Sequence, residues 1–497
     1  MLERIESINS AINGVVWGIP VLSLLIITGV LMTAITKGFQ FSHFKHWMSQ
    51  TIGSIFKKDI SGKNKDKGSI SQFQALCTAL AATVGVGNIA GVATALVSGG
   101  PGAIFWMWVA AIFGTMTNFS ENVLGIYYRR KNEKDEWMGG AMYYLSDGVG
   151  GYKHGKHIGK ILAVMFAIFA IFASFGIGNA SQINTIASNM ESAFSISPTA
   201  TGIVLMVLAG LVIIGGIKRI ASVTEKIVPT MVVLYLVGAL AVVVCNADQI
   251  IPAFASIFSF AFGLRAFAGA VGGVVVKNAV TWGFKRGVFS NEAGLGSSVM
   301  VHSASNVKEP VRQGIWGIFE VFADTIVVCT LTALVILTSG VIDLSTGALL
   351  VDAEGSVLVS NAFASVFGSV GSSFIAIAIL LFAFSTVLGW SYYGTKAWEY
   401  LFGTKSTIAY KAVFVAFIFV GATMSLTLAW DISDTFNGLM AIPNLIGVLL
   451  LCPLVLKITK NYVARIFGKS NIEPMLNANS EIQKSEIARM KADGDIE

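Results

Sequence analysis

Charged residues are scarce in this chain of 497 residues, in which only 12% are Asp, Glu, Lys or Arg, whereas soluble domains carry about 25%. Hydrophobic residues make up 54% of the sequence, and the mean hydropathy is +0.72. A water-soluble domain is excluded, because so few charges cannot solvate so much apolar sequence. The apolar runs reach the length of about 20 residues that a helix needs to cross a bilayer. The composition therefore predicts an all-α polytopic membrane protein.

Cysteine and histidine are also rare, and neither forms a motif. The four cysteines lie in apolar segments without a CxxC spacing, so we expect no disulfide or zinc site. The five histidines are scattered. No nucleophile, general base or metal cluster emerges, so we expect neither an enzyme nor an organic cofactor. The net charge of +6 is spread over membrane-flanking loops and does not form the stripe that binds nucleic acid.

Eleven apolar runs are long enough to span the bilayer. A leading run near Val15 to Ile35 precedes ten more, which we number core spans one to ten. Their approximate limits are 72–98, 103–127, 160–189, 200–217, 227–246, 264–283, 314–340, 373–395, 412–430 and 438–456. The segment from Phe39 to Phe56 alternates aromatic, basic and polar residues, which suits either an amphipathic helix on the inner surface or a solvated connector.

The distribution of Lys and Arg predicts the orientation, because cytoplasmic loops carry an excess of positive charge. With the N-terminus outside, all but Arg4 and Arg265 of the 34 Lys and Arg residues fall in or beside the cytoplasmic side. We therefore expect the C-terminus to be cytoplasmic. The tail after about Asn471 is polar and mixed in charge, which predicts a disordered or loosely helical segment.

Core span one contains glycines in the middle of its apolar run, LCTALAATVGVGNIAGVATALVSGG. Gly85 and Gly87 lie beside Asn88, and Thr83 precedes them. Glycine inside a helix lowers the cost of unwinding it. A single interrupted span can also be explained by close helix packing at small residues.

Core span six has a similar feature in the sequence AFAGAVGGVVVKNAV, where Gly269, Gly272 and Gly273 lie near the middle of the run. The two interrupted spans are five spans apart. Because five is odd, a second group of five spans starts in the opposite orientation, as inverted-repeat transporters require. This separation favours unwound helices over simple close packing at both positions.

Unwinding at these glycines exposes backbone N–H groups on one side of a break and carbonyl groups on the other, near the middle of the bilayer. The N–H groups can bind a carboxylate, and the carbonyl groups can bind a sodium ion. The sequence therefore predicts a carrier whose site lies at the two breaks. The expected parts are an extra N-terminal helix (1–36), a cytoplasmic amphipathic connector (37–70), two inverted five-helix repeats (71–246 and 247–457) and a cytoplasmic tail (458–497).

Polar residues on two other core spans point to the same site. Core span eight carries Ser385 and Thr386 in an apolar run, with Trp390 one turn later on the face of Thr386. Hydroxyl oxygens suit a hard cation, although hydrogen bonding to the preceding helical turn also explains them. On core span three, Gln182 shares a face with Asn179, and we favour Gln182 as the residue that reaches a substrate.

Carboxylates within the bilayer are costly, and this sequence places Glu121 in core span two and Glu320 and Asp324 in core span seven. Proton or cation coupling explains them. Pairing with cytoplasmic lysines or arginines also explains them, and we weight it higher because Glu121 lies about two helical turns from Arg129.

Six stretches occur in this order along the chain: TVGVGNIAGVATA, SGGPGAIFWMWVAAIFGTMTNFSEN (Ser98 to Asn122), WMGGAMYYL, GFKRGVFSNEAGLGSS (Gly283 to Ser298), FADTIVVCTLTA and STVLGWSYYGTKAWEYLFG. Together they resemble the alanine or glycine:cation symporter family of bacteria and archaea. The resemblance extends over nearly the whole chain except the tail. It implies the leucine-transporter fold of two inverted five-helix repeats, here with one extra leading helix.

Together with the glycine pattern, the resemblance predicts two sets of binding residues. The first surrounds a small substrate: Thr83, Gly85, Gly87, Asn88, Gln182, Gly269, Gly272, Gly273, Thr386 and Trp390. The second surrounds a sodium ion: the carbonyls of Ala81, Val84 and Phe382 and the hydroxyls of Ser385 and Thr386.

Four further residues are candidates for gating or coupling: Glu121, Asp324, Asn291 and Glu292. The last two lie in the stretch from Phe284 to Ser298, which suits either an inner gate or a capped interfacial turn with a local ion pair. Arg265 departs from the family pattern, because an uncharged residue is expected near the start of core span six.

The function implied by the resemblance is sodium-coupled symport of small neutral amino acids, namely L-alanine, glycine and in some members D-alanine, by alternating access. Proton-coupled symport through a membrane carboxylate is the alternative. Sodium is then the coupling ion, and the lipid bilayer is the medium of a multi-pass protein of the inner (plasma) membrane. We expect Trp390 to limit the size of the substrate side chain.

Overall fold

The computed structural model describes residues 2–55, 68–263, 271–424 and 427–495, and this part of the chain folds mainly into helices. Within it, seven helices are long and apolar enough to cross a membrane, and up to nine spans result if each of two bent helix pairs counts as one. The predicted all-α membrane architecture is confirmed. Arg265 and Gly269 lie outside the described residues.

The helices of the first half of the chain are α1 (Leu2–Val16), α2 (Ile19–Ile35), α3 (Phe39–Ser42), α4 (Phe44–Gln50), α5 (Ile52–Ile55), α6 (Gln72–Thr83), α7 (Val92–Gly99), α8 (Gly102–Tyr127), α9 (Ala141–Tyr143), α10 (Lys156–Phe175), α11 (Ser181–Phe194), α12 (Pro198–Ile213), α13 (Gly216–Cys245) and α14 (Ile250–Ala261). The strands β1 (Arg130–Lys131) and β2 (Trp137–Met138) pair in antiparallel orientation.

The helices of the second half are α15 (Val271–Asn291), α16 (Val299–His302), α17 (Pro310–Val321), α18 (Thr330–Thr338), α19 (Gly355–Phe367), α20 (Ser369–Phe402), α21 (Thr407–Thr423), α22 (Thr427–Leu450), α23 (Cys452–Ile466) and α24 (Ser480–Ala492). Wider π-helical turns occur at Gly87–Gly91, Tyr144–Gly148, Gly176–Ala180 and Phe322–Cys329. Such turns often accompany functional sites.

The helices around the site form two groups. Helix α8 packs along α15 and α17, and α15 also packs against α7, so predicted core spans one, two, six and seven lie together. Helices α10 and α11 pack on α20, and α12 packs on α21. Helix α6 contacts α13 and α20, which places the first broken span between the two groups.

The connector after the leading span forms the short helices α3, α4 and α5. Phe39 and Trp47 are buried, whereas Phe41 and Phe44 are exposed. The indole N–H of Trp47 donates to the carbonyl of Gln40 at 2.8 Å. This two-faced pattern agrees with an amphipathic segment up to residue 55, beyond which residues 56–67 are not described.

Core span six departs most from the prediction. Helix α15 continues past the expected end at residue 283 and includes two basic residues that we had assigned to a cytoplasmic loop. The ammonium group of Lys285 lies 2.5 Å from the carboxylate of Asp434 on α22. The guanidinium of Arg286 lies 5.4 Å from the ring of Trp282. These partners allow charged residues inside a spanning helix, so charge alone was a misleading sign of a loop.

The C-terminal tail contains the helix α24 and docks on the rest of the protein, so of the two alternatives predicted for it the disordered one is wrong. The side chain of Asn477 donates to the carbonyl of Arg129 at 3.0 Å, and the N–H of Ala478 donates to the carbonyl of Tyr127 at 2.8 Å. Beyond them α24 forms. The sequence missed this docking because it depends on partners remote in the chain and not on the tail's own composition.

Helix α24 is also joined to the loop before α17 by Lys308, whose ammonium lies 2.7 Å from Asp493 and 2.6 Å from Asp495. We expect Lys308→Glu to release the tail, because each partly exposed pair contributes up to about 1 kcal/mol and the new charge repels both aspartates. Limited proteolysis of the full-length protein in detergent should then cleave the tail several times faster. Lys491→Glu, at an exposed position on α24, is the control. Equal rates for Lys308→Glu and the wild type would contradict this docking.

Candidate functional site

The break in the first span lies between α6 and the π-turn Gly87–Gly91. The helical parts before and after it, Gln72–Thr83 and Gly87–Gly99, meet at 51°. The backbone N–H of Gly85 donates to the side-chain oxygen of Asn88 at 2.9 Å. The N–H of Val86 donates to the side-chain oxygen of Gln182 at 3.3 Å. The predicted break of core span one is therefore present, and its N–H groups point to oxygen acceptors of the kind that a carboxylate supplies.

Gly85 allows this segment to approach α20 closely. A Cβ atom at Gly85 would lie 2.4 Å from Oγ1 of Thr386 and 3.3 Å from Oε1 of Gln182. A Cβ atom at Gly87 would lie 3.2 Å from the ring of Phe289 on α15. The glycines are needed here because other residues fill the space that a side chain would occupy.

The second break lies between α15 and α16, at residues 292–298. Glu292, Gly294 and Gly296 have positive φ angles of 55°, 91° and 71°, which end the helix and turn the chain. The prediction that core span six breaks at Gly272 and Gly273 is wrong, because both lie in the first turn of α15. A Cβ at Gly273 would meet nothing within 4 Å, so this glycine has no role in close packing among the described residues.

Polar side chains hold the second break against neighbouring helices. Asn444 of α22 donates to the carbonyl of Gly294 at 2.8 Å and to the carboxylate of Glu121, and it accepts a hydrogen bond from Tyr144. Glu121 also accepts hydrogen bonds from the backbone of Gly294 and Gly296. The irregular backbone at this break therefore finds hydrogen-bond partners inside the protein, as it must where no water is present in the membrane.

Glu121 consequently differs from our expectation of a pair with a cytoplasmic cation. Arg129 donates to the carbonyls of Ser305 at 2.6 Å and Val307 at 2.5 Å. Glu320 of α17 has its own partner, since its carboxylate lies 3.0 Å from Nε2 of His302. The environment of Glu121 is therefore set by its hydrogen bonds to amide groups at the second break, and not by its closeness to Arg129 along the chain.

A small cavity of about 10 Å³ joins the two breaks. The residues that line it are Ala82, Thr83, Gly85, Gly87, Ile177, Gln182, Phe289, Glu292, Thr386 and Trp390. The structure therefore brings together Thr83, Gly85, Gly87, Gln182, Thr386 and Trp390 of the predicted substrate set. Asn88 lies directly behind this wall through its bond to Gly85.

An oxygen cluster lies beside the cavity, where α6 and α20 meet. The carbonyl of Ala81 accepts from Thr386 Oγ1 at 3.0 Å and from Ser385 Oγ at 3.4 Å. The carbonyl of Phe382 accepts from the same two hydroxyls, at 3.0 Å and 2.8 Å. Val84, the residue that caps the C-terminus of α6, is buried next to Gly85. Neutral hydroxyl and carbonyl oxygens in one place fit a hard monovalent cation.

The alternative explanation, hydrogen bonding to the preceding helical turn, also applies, because both hydroxyls donate to the carbonyl of Phe382 on their own helix. Their bonds to Ala81 on the other helix go beyond it. Among the described residues, no group of three or more His, Cys, Asp or Glu side chains could hold a metal ion. A cation at this position would therefore be bound by neutral oxygens.

Asp324 connects the two breaks from outside the cavity, through side chains of both broken spans. Its carboxylate accepts from Asn88 at 2.6 Å, from Ser290 at 2.8 Å and from its neighbour Thr325 at 2.8 Å. Asn291 in turn donates to Thr325 at 3.0 Å. Asp324 and Asn291, both proposed from the sequence as gating or coupling residues, thus belong to one buried network at the π-helical turn of the seventh span.

The choice of Gln182 over Asn179 agrees with the geometry. Gln182 lines the cavity, whereas Asn179 donates to the carbonyl of Phe414 on α21 at 2.9 Å. Sequence reasoning missed Asn444 and Tyr144, which hold the second break. Asn444 follows Pro443 in an apolar helix, and a polar amide at such a position is the signal that could have found it.

Two broken helices that meet at a buried cavity, in a many-span helical fold, define the class of secondary transporters with inverted repeats. The solved structure of MhsT in complex with L-phenylalanine matches this chain with a TM-score of 0.50 at 13% identity, covering 80% of this chain and 99% of that one. The likeness shows a shared leucine-transporter-type fold, as the sequence predicted.

The family follows from sequence comparison. The model of the sodium:alanine symporter family matches residues 2–477, and this chain belongs to that family. It is 47% identical to the sodium/alanine symporter AgcS of Methanococcus maripaludis over 456 residues, 92% of this chain and 97% of that protein. It is 35% identical over 486 residues to the Bacillus subtilis protein named "Putative sodium/proton-dependent alanine carrier protein YrbD", with 94% of each chain covered. The chain is therefore a multi-pass transporter of the plasma membrane and not an enzyme.

Proposed function

We propose that this protein carries small neutral amino acids, alanine and glycine, into the cell together with sodium. The observation that carries the proposal is the oxygen cluster of Ala81, Phe382, Ser385 and Thr386 beside a small cavity between two broken helices. The names of the family and of AgcS support sodium and alanine as the transported pair. D-Alanine has the same small volume and belongs to the same substrate class.

The substrate carboxylate binds at the first break in this proposal. The N–H of Val86 makes a long bond of 3.3 Å to Gln182, which a carboxylate oxygen can replace at a shorter distance. Sodium bound at Ala81, Val84, Phe382, Ser385 and Thr386 orders the end of α6, and with it the N–H groups that follow. Sodium then raises the affinity for the amino acid, and the amino acid raises the affinity for sodium by the same factor.

Alternating access requires the group around α8 to move relative to the group around α20. Lys285 on α15 pairs with Asp434 on α22, and α22 packs against α10 of the second group, so this nearly buried ion pair joins the two groups. The basic residues that still lie in loops support an orientation with the N-terminus outside and the C-terminus cytoplasmic. The pair then lies on the outer side, because α15 leads from the outer surface to the second break.

Trp390 is expected to set the upper limit on substrate size, because its ring lines the cavity and is fully buried. Trp390→Ala should admit L-valine and L-leucine as competitors of alanine uptake, since overfilling the wild-type cavity costs about 1–3 kcal/mol. Competition uptake measures this. Trp398→Ala, which removes an indole from the same helix outside the cavity, should leave the selectivity of the wild type. Unchanged selectivity in Trp390→Ala would refute the size limit.

The function is tested by uptake of labelled alanine into proteoliposomes that contain the full-length protein. An inward sodium gradient at equal pH on both sides should drive accumulation, and a proton gradient without sodium should not. Unlabelled glycine and D-alanine should compete, whereas L-glutamate should not. Accumulation driven by the proton gradient alone would contradict sodium coupling.

Proton coupling is the second candidate function, and the buried carboxylate of Asp324 favours it. Asp324 touches Asn88 of the first break and Ser290 next to the second, so its protonation would affect both. The name of YrbD supports a proton as a partner ion in the family. In this case Asp324→Asn should remove the response of uptake to a proton gradient and retain the response to sodium.

A further inference from the structure

One carboxylate lies inside the substrate cavity itself, and it belongs to Glu292 of the second break. Its Oε1 accepts a hydrogen bond from the indole of Trp390 at 2.9 Å, and its Oε2 accepts one from Ser297 at 2.5 Å. An ionised carboxylate can accept about four hydrogen bonds. Glu292 therefore has acceptor capacity left at the wall of the cavity.

Both donors to Glu292 are neutral. Among the residues that the structure describes, no Lys, Arg or His side chain pairs with this carboxylate. A buried carboxylate is strongly unfavourable unless a cation or enough donors compensate for its lost hydration. The cavity is where a compensating cation can reach it.

Asp324 provides a useful contrast. Its carboxylate has three donors, in Asn88, Ser290 and Thr325, and it does not line the cavity. Its surroundings are therefore more complete, and a substrate in the cavity does not touch it. Glu292 has fewer donors and direct access, so a ligand meets Glu292 and not Asp324.

We propose that Glu292 is the counter-ion of the substrate's α-ammonium group. This assignment rests on the proposed function and deepens it. The site then has two recognition elements: the backbone N–H groups of Gly85 and Val86 at the first break for the carboxylate, and the Glu292 carboxylate of the second break for the ammonium. Such a site selects zwitterionic α-amino acids over hydroxy acids and simple carboxylic acids, which lack the positive group.

Glu292 takes a different part here from the gating or coupling role considered from the sequence. Its bond to Trp390 has a consequence as well, because the group that recognises the ammonium also orients the ring that limits the side chain. Charge recognition and size recognition thus meet at one residue pair, held by the turn at Glu292, whose φ is 55°.

The test compares L-alanine with L-lactate, which has a hydroxyl in place of the ammonium. Binding to the purified full-length protein is measured at saturating sodium for the wild type and for Glu292→Gln, which retains the side-chain length and an acceptor for Trp390. The dissociation constant of alanine should rise by at least about tenfold in the variant, because one partner of a buried charge pair is lost. That of lactate should stay the same or fall, so the preference for alanine should shrink. The dissociation constant of sodium, measured in the absence of alanine, should not change.

Trp390→Phe is the matched control, because it removes the indole donor and leaves the carboxylate. It should shift the affinities for alanine and lactate equally. A loss of preference in Trp390→Phe as large as in Glu292→Gln would mean that Glu292 acts only by holding Trp390, and it would overturn the proposal. A raised dissociation constant of sodium in the absence of alanine, with an unchanged preference for alanine over lactate, would also overturn it, since Glu292 would then bind the cation.

The wild type provides a test that does not depend on the folding of any variant. It should bind lactate at least about tenfold more weakly than alanine. Equal affinities would overturn the role of Glu292 while leaving sodium-coupled uptake intact. A wild type that binds no alanine in sodium would instead refute the proposed function, and the ammonium assignment with it.

Discussion

Replacing Gly85 by alanine is expected to lower sodium-driven alanine uptake by about tenfold to hundredfold. The new Cβ would lie 2.4 Å from Oγ1 of Thr386, a contact that forces the Thr386 hydroxyl to rotate away from the carbonyl of Ala81 or forces α6 or α20 to move. Movement of either helix separates the oxygen cluster from the cavity. Because Gly85 is buried where the two helices meet, relaxation into free space is not available.

Gly91→Ala is the matched control for this effect. Gly91 lies in the π-turn of the same broken span, and a Cβ there would meet nothing within 4 Å. Uptake should stay close to that of the wild type. Both variants are compared at equal amounts of protein in proteoliposomes, so that differences in expression level do not affect the measured uptake. A Gly85→Ala protein as active as Gly91→Ala would show that the close approach of α6 and α20 is not needed for transport.

Thr386→Val is expected to raise the sodium concentration for half-maximal alanine uptake by about tenfold to hundredfold. The change keeps the shape of the side chain and removes one cation ligand, and a hydrogen bond or oxygen contact to a charged group contributes about 1.5–3 kcal/mol. The carbonyl of Ala81 also loses a donor that lies 3.0 Å away. The effect should appear mainly in sodium dependence, with the maximal rate restored at high sodium.

Thr395→Val controls for the loss of a hydroxyl on the same helix. Thr395 donates to the carbonyl of Ser391 on α20, away from Ala81. It should leave the sodium dependence of uptake close to that of the wild type. Thr386→Ser, which retains the hydroxyl, should behave more like the wild type than like Thr386→Val. An unchanged sodium dependence in Thr386→Val would contradict the placement of the cation at α6 and α20.

The first break could be predicted from the sequence because its glycines interrupt an apolar run and lie next to a polar amide. Gly85, Gly87 and Asn88 all take part in the structure as that pattern indicates. Thr386 and Trp390 could be assigned to one face because they lie four residues apart in an otherwise apolar span, and both line the cavity.

The second break could not be located in this way, because its marks are those of a loop. Residues 292–298 follow the basic pair Lys285 and Arg286, and an apolar run appeared to have ended before them. In the structure those charges have partners on α22 and in aromatic rings, so the helix extends to Asn291. Gly294 and Gly296 carried the correct signal, but partners remote in sequence were needed to recognise it.

The role proposed for Glu292 could likewise not be predicted from its position in the chain. Its environment depends on Trp390, nearly a hundred residues later, and on the positive φ that turns its side chain toward the cavity. The docking of α24 shows the same dependence, through Lys308 and the loop after α8. The pattern within one segment predicts helices and breaks, whereas contacts between segments decide which carboxylate lines the cavity.

The central claim is that sodium and a small amino acid bind to one site built from the two broken helices. It is tested most directly by the dissociation constant of alanine for the purified protein, measured with sodium and with potassium in its place, together with the dissociation constant of sodium with and without alanine. The account predicts that each ligand tightens the other by the same factor, about fivefold or more. It also predicts that Thr386→Val reduces this factor. Alanine binding that is equal in sodium and potassium would contradict the account.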